Sequence, residues 1–164
     1  KKVHLLEQGD CPAADLINQR AQEFFKRLLN EQTANIDLSW ANLYYKWDYA
    51  VPHSHRMSVA SLVYFLDVGA PAPDDELSGR LSFADPRMKV CCSDEPGYVT
   101  TRPYIGPENG KMLIWPSAFV HFVTPYTGDN PRITLAWNIS RYKGELLADD
   151  KPMVNVAPTP TSRV

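Results

Sequence analysis

The sequence predicts a mainly β domain, a small sandwich or barrel, that follows a single helix. Short runs rich in β-branched and aromatic residues recur between residues 36 and 141, as expected of strands. Turn-forming clusters such as Gly69–Asp75 and Thr127–Pro131 separate these runs. The 14 Pro and 8 Gly residues favour many short elements over a helix bundle.

Apolar residues at helical spacing predict the helix over residues 12–29. This stripe contains Ile17, Ala21, Phe24, Phe25 and Leu28. Pro12 suits the first turn of a helix, where its missing N–H is not needed. Because the opposite face is polar, we expect the helix to pack against the outside of the β structure.

Strands are predicted after the helix, each from a β-branched or aromatic run. They cover Leu38–Trp47, Val59–Leu66, Gly79–Phe83, Tyr98–Ile105, Lys111–Trp115, Phe119–Thr124 and Arg132–Ser140. Elements at this spacing, after one helix, favour a sandwich or barrel. We expect residues 1–148 to form one domain and residues 149–164 to be an extended or disordered tail.

Composition and charge exclude several classes of protein. The 164 residues include 17 Lys and Arg against 19 Asp and Glu, so the net charge is −2. That balance offers no basic surface for nucleic acid or an anionic membrane, and no apolar run approaches the length of a membrane span. Three Cys, two of them adjacent, cannot form a disulfide framework. With no signal-peptide pattern at the start of the sequence, we expect a cytoplasmic protein.

Three histidines are candidates for a metal site. In a strand, residues i and i+2 point to the same face, so His53 and His55 can converge on one ion. His121 lies 66 residues after His55, and a hairpin-rich fold can bring its strand beside theirs. Imidazole suits Fe, Zn, Cu or Ni. The pattern is also consistent with an exposed histidine pair and a core histidine that bind no metal.

A single arginine is conspicuous on the last predicted strand. Arg132 lies among apolar residues, and a buried guanidinium is costly without an anionic partner. Thr134 shares its face at i+2 and adds a hydroxyl donor. A guanidinium with one hydroxyl is a good receptor for a carboxylate. The alternative is that Arg132 lies at a strand entrance and pairs with Asp129.

Together these residues carry a resemblance to a known family. His53-x-His55, His121 and Arg132-x-Thr134, in that order, resemble the 2-oxoglutarate/Fe(II)-dependent oxygenase superfamily over residues 40–140. The chain is most similar to a group of small 2OG-Fe(II) oxygenases that share three further segments, which here are Ser61–Leu66, Gly79–Arg87 and Pro116–Pro125. The resemblance implies a double-stranded β-helix, the cupin-type jelly roll, with a supporting N-terminal helix.

The resemblance also implies cofactors and residue roles. Fe(II) would be held by His53 and His121. The far carboxylate of the cosubstrate 2-oxoglutarate would be bound by Arg132 and Thr134, with Tyr45 within reach of it. The implied enzyme uses O2 to oxidise a small-molecule or amino-acid-like substrate, by default through hydroxylation, and releases succinate and CO2.

The second metal ligand departs from the family pattern. The usual triad is His-x-Asp/Glu…His, but His55 occupies the acidic position. Three imidazoles would leave the metal centre one charge more positive. We favour His55 as a ligand because the i+2 geometry provides it directly. The alternative is that His55 points away and that Asp85 or Asp48 completes the triad.

Asp85 and Arg87 are candidate substrate contacts. They follow a predicted strand and would lie at the mouth of the pocket; alternatively, Asp85 caps a turn and Arg87 is solvated. A chain of 164 residues leaves little room for an elaborate lid. We therefore expect a small or shallowly bound substrate, or a homodimer in which a second subunit helps to enclose it.

Two other functions fit the same motifs. One is a cupin-type dioxygenase with three histidines that binds its substrate directly to iron without 2-oxoglutarate. Arg132 separates the two enzymes, because only the 2-oxoglutarate enzyme requires a deep carboxylate receptor there. The other is a non-catalytic jelly-roll module, metal-free or zinc-bound, that recognises a sugar or a peptide.

Overall fold

The structure, a computed structural model, describes residues 2–3, 11–55, 57–84 and 104–145. Helix α1 spans Pro12–Leu29. The described residues also form nine strands: β1 (Lys2–Val3), β2 (Asn35–Tyr44), β3 (Ala50–His53), β4 (Ala60–Asp67), β5 (Leu81–Phe83), β6 (Tyr104–Ile105), β7 (Met112–Pro116), β8 (His121–Val123) and β9 (Arg132–Ser140). No helix among the described residues is long and apolar enough to cross a membrane.

The strands form two antiparallel sheets. The major sheet has the strand order β1-β2-β9-β4-β7, and the minor sheet has the order β3-β8-β5-β6. Each pair of neighbouring strands in these two sheets is antiparallel. Strands far apart in the sequence, such as β2 and β9, are neighbours in the sheet. This arrangement confirms the predicted mainly β jelly roll with its N-terminal helix.

Helix α1 lies against the outer face of the major sheet, as predicted. Its buried Phe25 belongs to one core cluster with Leu62 of β4 and Ile139 of β9. The indole N–H of Trp137 donates to Oδ1 of Asn18 on the helix, at 2.7 Å. Because successive side chains of a strand point to opposite faces, the helix covers one face and leaves the other for the minor sheet.

A second core cluster lies between the two sheets. Phe65 of β4 packs there with Leu81 of β5 and Val123 of β8. Polar side chains of β9 interrupt this apolar interior, because Arg132 and Thr134 are both buried. A buried polar group is costly unless it has a partner, so the space between the sheets is where we expect the functional site.

Candidate active site

Three histidine side chains meet on the minor sheet. His53 ends β3 and His121 begins β8, and the two residues are directly opposite each other in the antiparallel pair. The backbone N–H of His55 donates to the carbonyl oxygen of Ser117, at 2.9 Å. The candidate ligand atoms of the three histidines all lie within 4.8 Å of one another. The structure therefore brings together the three histidines that the sequence analysis singled out.

Backbone carbonyls fix the orientation of two of these rings. Nδ1 of His53 lies 2.7 Å from the carbonyl oxygen of Val51, and Nδ1 of His121 lies 2.9 Å from that of Phe119. A carbonyl can only accept a hydrogen bond, so each Nδ1 carries the proton. The Nε2 lone pair of each ring is left for a metal, which is the arrangement that metal-binding histidines use.

His121 is held as a neutral ring. Burial lowers the pKa of His121 from its usual value, the hydrogen bond to Phe119 opposes this, and the neighbouring His53 lowers it further. Trp115 packs edge-to-face on His121, with the ring centroids 5.0 Å apart. Because a histidine binds metal only through a deprotonated nitrogen, a neutral ring is ready to act as a ligand.

The histidine cluster contains no carboxylate among the described residues. Asp48, one alternative second ligand, accepts the backbone N–H of Tyr45 at 2.8 Å. Asp85, the other alternative, and Arg87 lie outside the described residues. His55 occupies the place that an acidic residue holds in the usual triad, and its role as a ligand stays a prediction.

Arg132 begins β9 in the major sheet, where it is 2% exposed. Its guanidinium carbon lies 4.8 Å from the ring centroid of Tyr44 and 5.5 Å from that of Phe65. The Nε and Nη1 atoms of Arg132 have no hydrogen-bond partner among the described residues. Asp129, the alternative partner, is ion-paired with Lys46 at 2.8 Å instead. A buried cation with unpaired donors is what a receptor for an anion requires.

Burial shifts the pKa values of both Arg132 and Tyr44. Burial raises the pKa of Tyr44, although the positive charge of Arg132 acts in the opposite direction. Burial also lowers the pKa of Arg132, against the influence of Tyr44 and Tyr126. Arginine nevertheless stays protonated in proteins. The pocket therefore holds a positive charge that has lost much of its hydration, and a carboxylate would compensate it.

Two side chains orient the hydroxyl of Thr134. The indole N–H of Trp40 donates to Oδ1 of Asn42 at 3.0 Å, which fixes the Asn42 amide. Nδ2 of Asn42 then donates to Oγ1 of Thr134 at 3.4 Å. Because this contact uses an acceptor lone pair of the hydroxyl, the hydroxyl proton is left to donate to a ligand. The strand alternation of Trp40, Asn42 and Tyr44 was the available sequence signal for Asn42, which the sequence analysis missed.

The structure places Tyr44 at the receptor and Tyr45 outside it. Tyr44 is the register partner of Arg132 and lines the cavity between the sheets. Tyr45 is 55% exposed and does not line that cavity. Adjacent residues of an extended chain point in opposite directions. The structure therefore places Tyr44, and not Tyr45, beside Arg132, and a contact of Tyr45 with the carboxylate stays a prediction.

Gly79 makes room for Arg132, a role that the sequence analysis did not foresee. Its φ is +60°, and a Cβ atom there would lie 3.2 Å from Cδ of Arg132 and 3.1 Å from Cδ2 of Tyr126. Tyr126 cannot easily move aside, because its hydroxyl donates to the carbonyl oxygen of Asn130 at 2.5 Å and accepts the N–H of Ala70 at 3.0 Å. Gly79 lies two residues before β5, and its neighbours in the sequence do not indicate that it would face Arg132.

The three histidines and Arg132 line one cavity between the sheets. Its volume is about 100 Å³, which is room for several water molecules. Three imidazole nitrogens suit a divalent transition metal. Guanidinium nitrogens without partners, beside an oriented hydroxyl, suit a carboxylate. The residues present thus fit Fe(II) and 2-oxoglutarate.

Comparison with known families and curated proteins gave one match. The family described as "Putative 2OG-Fe(II) oxygenase" matches residues 38–138. No curated protein matches the sequence. The family match spans both histidine segments and Arg132, so the residues of the cavity lie inside it.

Several solved structures share the fold. A 2OG-Fe(II) oxygenase family oxidoreductase from Burkholderia pseudomallei has a TM-score of 0.61 and 18% identity, over 84% of this chain and 61% of that one. A prolyl-4-hydroxylase from Pseudomonas putida has a TM-score of 0.60 and 16% identity, over 87% and 71%. AviO1 from Streptomyces viridochromogenes has a TM-score of 0.64 and 16% identity, over 87% and 67%. The chain thus spans about three fifths of the Burkholderia protein, and these likenesses concern the fold.

Proposed function

The chain belongs to the 2OG-Fe(II) oxygenase family, whose model matches more than half of its length, and on this premise we propose that it hydroxylates a small-molecule or amino-acid-like substrate. The family uses Fe(II) and 2-oxoglutarate. The observation that carries the proposal is Arg132, a buried guanidinium with unpaired nitrogens that lines the same cavity as three histidines. Family membership also favours an enzyme over a non-catalytic binding module.

Three imidazoles would hold the metal in this proposal. The Nε2 atoms of His53 and His121 are free for it, because both Nδ1 atoms are engaged by backbone carbonyls. His55 would supply the third nitrogen. When bound, Fe(II) and 2-oxoglutarate supply the oxidising chemistry, in which one oxygen atom of O2 enters succinate, CO2 is released, and the other oxygen atom enters a C–H bond of the substrate.

Arg132 and Thr134 would bind the far carboxylate of 2-oxoglutarate. Arg132 contributes charge and two unpaired nitrogens, and Thr134 contributes one oriented hydroxyl proton. The apolar rings of Phe65 and Trp115 line the same cavity. They limit the access of water to the cavity, which strengthens each of these polar contacts.

Binding of two related acids tests the receptor directly. Protein loaded with Fe(II) under anaerobic conditions is titrated with 2-oxoglutarate and followed through its weak visible charge-transfer band. 2-Oxopentanoate, which has the same carbon chain but a methyl group in place of the far carboxylate, is the matched control ligand. We expect 2-oxoglutarate to bind roughly a hundredfold more tightly, because the loss of a buried charge partner costs about 2–5 kcal/mol.

Admission of O2 completes this experiment. Succinate, measured by NMR, should form from 2-oxoglutarate and should require Fe(II). Equal affinity for the two acids would refute the Arg132 receptor. Absence of both 2-oxoglutarate binding and succinate would refute the proposed function as a whole.

The three-histidine set favours a second candidate, a dioxygenase that binds its substrate directly to iron without 2-oxoglutarate. Among the described residues, the metal cluster has no carboxylate ligand, as in a three-His cupin site. That enzyme has no use for the unpaired guanidinium of Arg132. It would bind Fe(II) in the same titration but give no band with 2-oxoglutarate and no succinate.

Three further expectations from the sequence stay predictions. We infer a cytoplasmic location from the cysteine content. We infer a single domain over residues 1–148 followed by the tail 149–164. A homodimer would help to enclose the substrate, and the mass of the purified protein in solution tests it.

A further inference from the structure

A chain of buried polar side chains lies along the inner face of the major sheet, away from Arg132. Oγ of Ser61 on β4 lies 2.8 Å from Oγ of Ser117 and 3.0 Å from Oδ1 of Asn138 on β9. All three residues are buried, and Asn138 is 7% exposed. Ser61 and Asn138 both line the cavity that holds the histidines.

The hydroxyl protons give this chain one direction. Ser61 has a single hydroxyl proton and donates it to Oδ1 of Asn138, so Ser117 donates to Ser61. The bond from Ser61 uses Oδ1 of Asn138 as the acceptor, so Nδ2 of Asn138 is turned away from Ser61.

This direction leaves the amide NH2 group of Asn138 as an unused donor. Nδ2 of Asn138 contacts no hydrogen-bond acceptor in the described part of the chain, and the residue borders the cavity. An amide NH2 can donate two hydrogen bonds. A ligand that binds this NH2 group must therefore offer a hydrogen-bond acceptor.

That acceptor cannot belong to the carboxylate that Arg132 would bind. Arg132, Thr134 and Asn138 share one face of β9, and four residues of strand separate Asn138 from Thr134 by about 13 Å. Between its end carbons, 2-oxoglutarate spans at most about 6 Å. Asn138 therefore lies past the far carboxylate along β9, on the side of Ser117, whose carbonyl oxygen accepts the N–H of His55.

The charge of the cavity further restricts the chemical class of this ligand. Arg132 is its one permanently charged residue among the described lining residues, which include no acid. Fe(II) and Arg132 would together bring three positive charges and 2-oxoglutarate two negative ones, so a cationic substrate would enter a site that is already net positive. A ligand without positive charge that carries an acceptor oxygen meets both conditions.

We propose that Asn138 determines substrate specificity by donating from Nδ2 to a carbonyl or hydroxyl oxygen of a substrate without positive charge. This inference rests on the proposed function, since it assigns Arg132 to 2-oxoglutarate and Asn138 to the primary substrate. Ser61 and Ser117 are positioning residues, because they hold the Asn138 amide in the donating orientation.

Two small probes of one skeleton test the inference. N,N-dimethylacetamide has a carbonyl acceptor and no donor, whereas protonated N,N-dimethylethylamine has a donor, a positive charge and no carbonyl. Each is titrated into ¹⁵N-labelled protein loaded with Zn(II), which has no redox chemistry. We expect dimethylacetamide to shift the Asn138 side-chain amide resonances and the amine to leave them unchanged. An unshifted Asn138 amide with dimethylacetamide, or binding of both probes alike, overturns the proposal.

The Asn138→Asp variant should reverse the preference between the two probes. It keeps an oxygen for Ser61 but replaces the donating NH2 with a charged acceptor, so the ratio of the two dissociation constants should change roughly a hundredfold in favour of the amine. Gln32→Glu, an exposed amide-to-carboxylate change, is the matched control and should leave the ratio unchanged. An unchanged ratio in folded Asn138→Asp protein contradicts the inference. The wild-type amide shift decides the question without any variant, should the buried charge prevent folding.

The proposed function can fail separately from this inference. The probe titration is run with and without 2-oxoglutarate. If 2-oxoglutarate does not bind, the proposed cosubstrate is wrong, while the Asn138 amide shift still reports whether this donor binds an acceptor. If 2-oxoglutarate binds and the amide does not respond, the assignment of Asn138 alone is wrong.

Discussion

Replacement of Arg132 with methionine should make the ligand-free protein more stable while it destroys the carboxylate receptor. Arg132 is buried, and two of its guanidinium nitrogens have no partner among the described residues. An unbranched apolar side chain fills similar space without those donors. The substitution therefore separates what Arg132 does for the fold from what it does for the ligand.

The structure gives the magnitude of the effect. Two unpaired buried donors cost about 1–3 kcal/mol each. The ring contacts with Tyr44 and Phe65, at 4.8 and 5.5 Å, offset roughly 0.5–2 kcal/mol each. The difference is a gain of about 1–2 kcal/mol for Arg132→Met, which corresponds to a rise in Tm of about 2–8 °C for a protein of this size.

Thermal unfolding of chelator-treated protein measures the gain, and titration of metal-loaded protein with 2-oxoglutarate measures the loss. We expect affinity for 2-oxoglutarate to fall at least roughly a hundredfold. Arg20→Met is the matched control, because Arg20 is exposed and its ion pair with Glu23 at 2.9 Å is worth less than about 1 kcal/mol. A lower Tm for Arg132→Met, together with affinity within about threefold of wild type, would show that Arg132 is a structural residue with an internal partner.

Three other variants test the supports of the site. Gly79→Ala should push Arg132 out of place, since the new Cβ would lie 3.2 Å from its Cδ; 2-oxoglutarate affinity should drop about tenfold with metal affinity unchanged in the same titration. Asn42→Leu should remove the group that orients Thr134 and cost about 1 kcal/mol of 2-oxoglutarate binding; unchanged affinity would mean that the hydroxyl orients itself. His121→Ala should abolish the rise in Tm that added Zn(II) gives the wild type, because binding to the native state alone stabilises it; an intact rise would exclude His121 as a ligand.

A metal centre held by three imidazoles, as proposed, would have a consequence for its neighbours. In the usual triad, one carboxylate offsets part of the charge of the metal. Here the described residues around the cavity supply no such charge, and Arg132 adds a further positive one. The two carboxylates of 2-oxoglutarate would therefore offset only two of the three positive charges of Fe(II) and Arg132, which disfavours a cationic substrate.

Site residues on regular strands could be predicted where their spacing in the sequence itself indicated the chemistry. Arg132 and Thr134 are two residues apart on β9, so their shared face follows from strand alternation. His53 and His55 have the same spacing, but β3 ends at His53, so alternation alone does not explain how His55 joins the cluster. Which of Tyr44 and Tyr45 faces Arg132 depends on the phase of the alternation at the end of β2, and the sequence does not show that phase. A shift of one residue exchanges the inward and outward faces.

Contacts between distant elements could not be predicted from the sequence. Gly79 next to Arg132, and Ser61 next to Asn138, meet only because the sheets bring separate strands together. The spacing of these residues in the sequence follows no helix or strand period, so it does not predict these contacts. The direction of the hydrogen-bond chain from Ser117 to Asn138 likewise depends on atoms from three separate segments.

By itself, the sequence determined a mainly β domain with one outer helix, the three histidines and the lone arginine, because these follow from local periodicity and from side-chain chemistry. The tertiary structure decided that both sets of residues face one cavity, that Tyr44 and not Tyr45 contacts Arg132, and that Asn138 presents a donor. The physical reason is that β2, β4 and β9 pair across long stretches of chain. Such pairing is set by the packing of the whole sheet and not by any short segment.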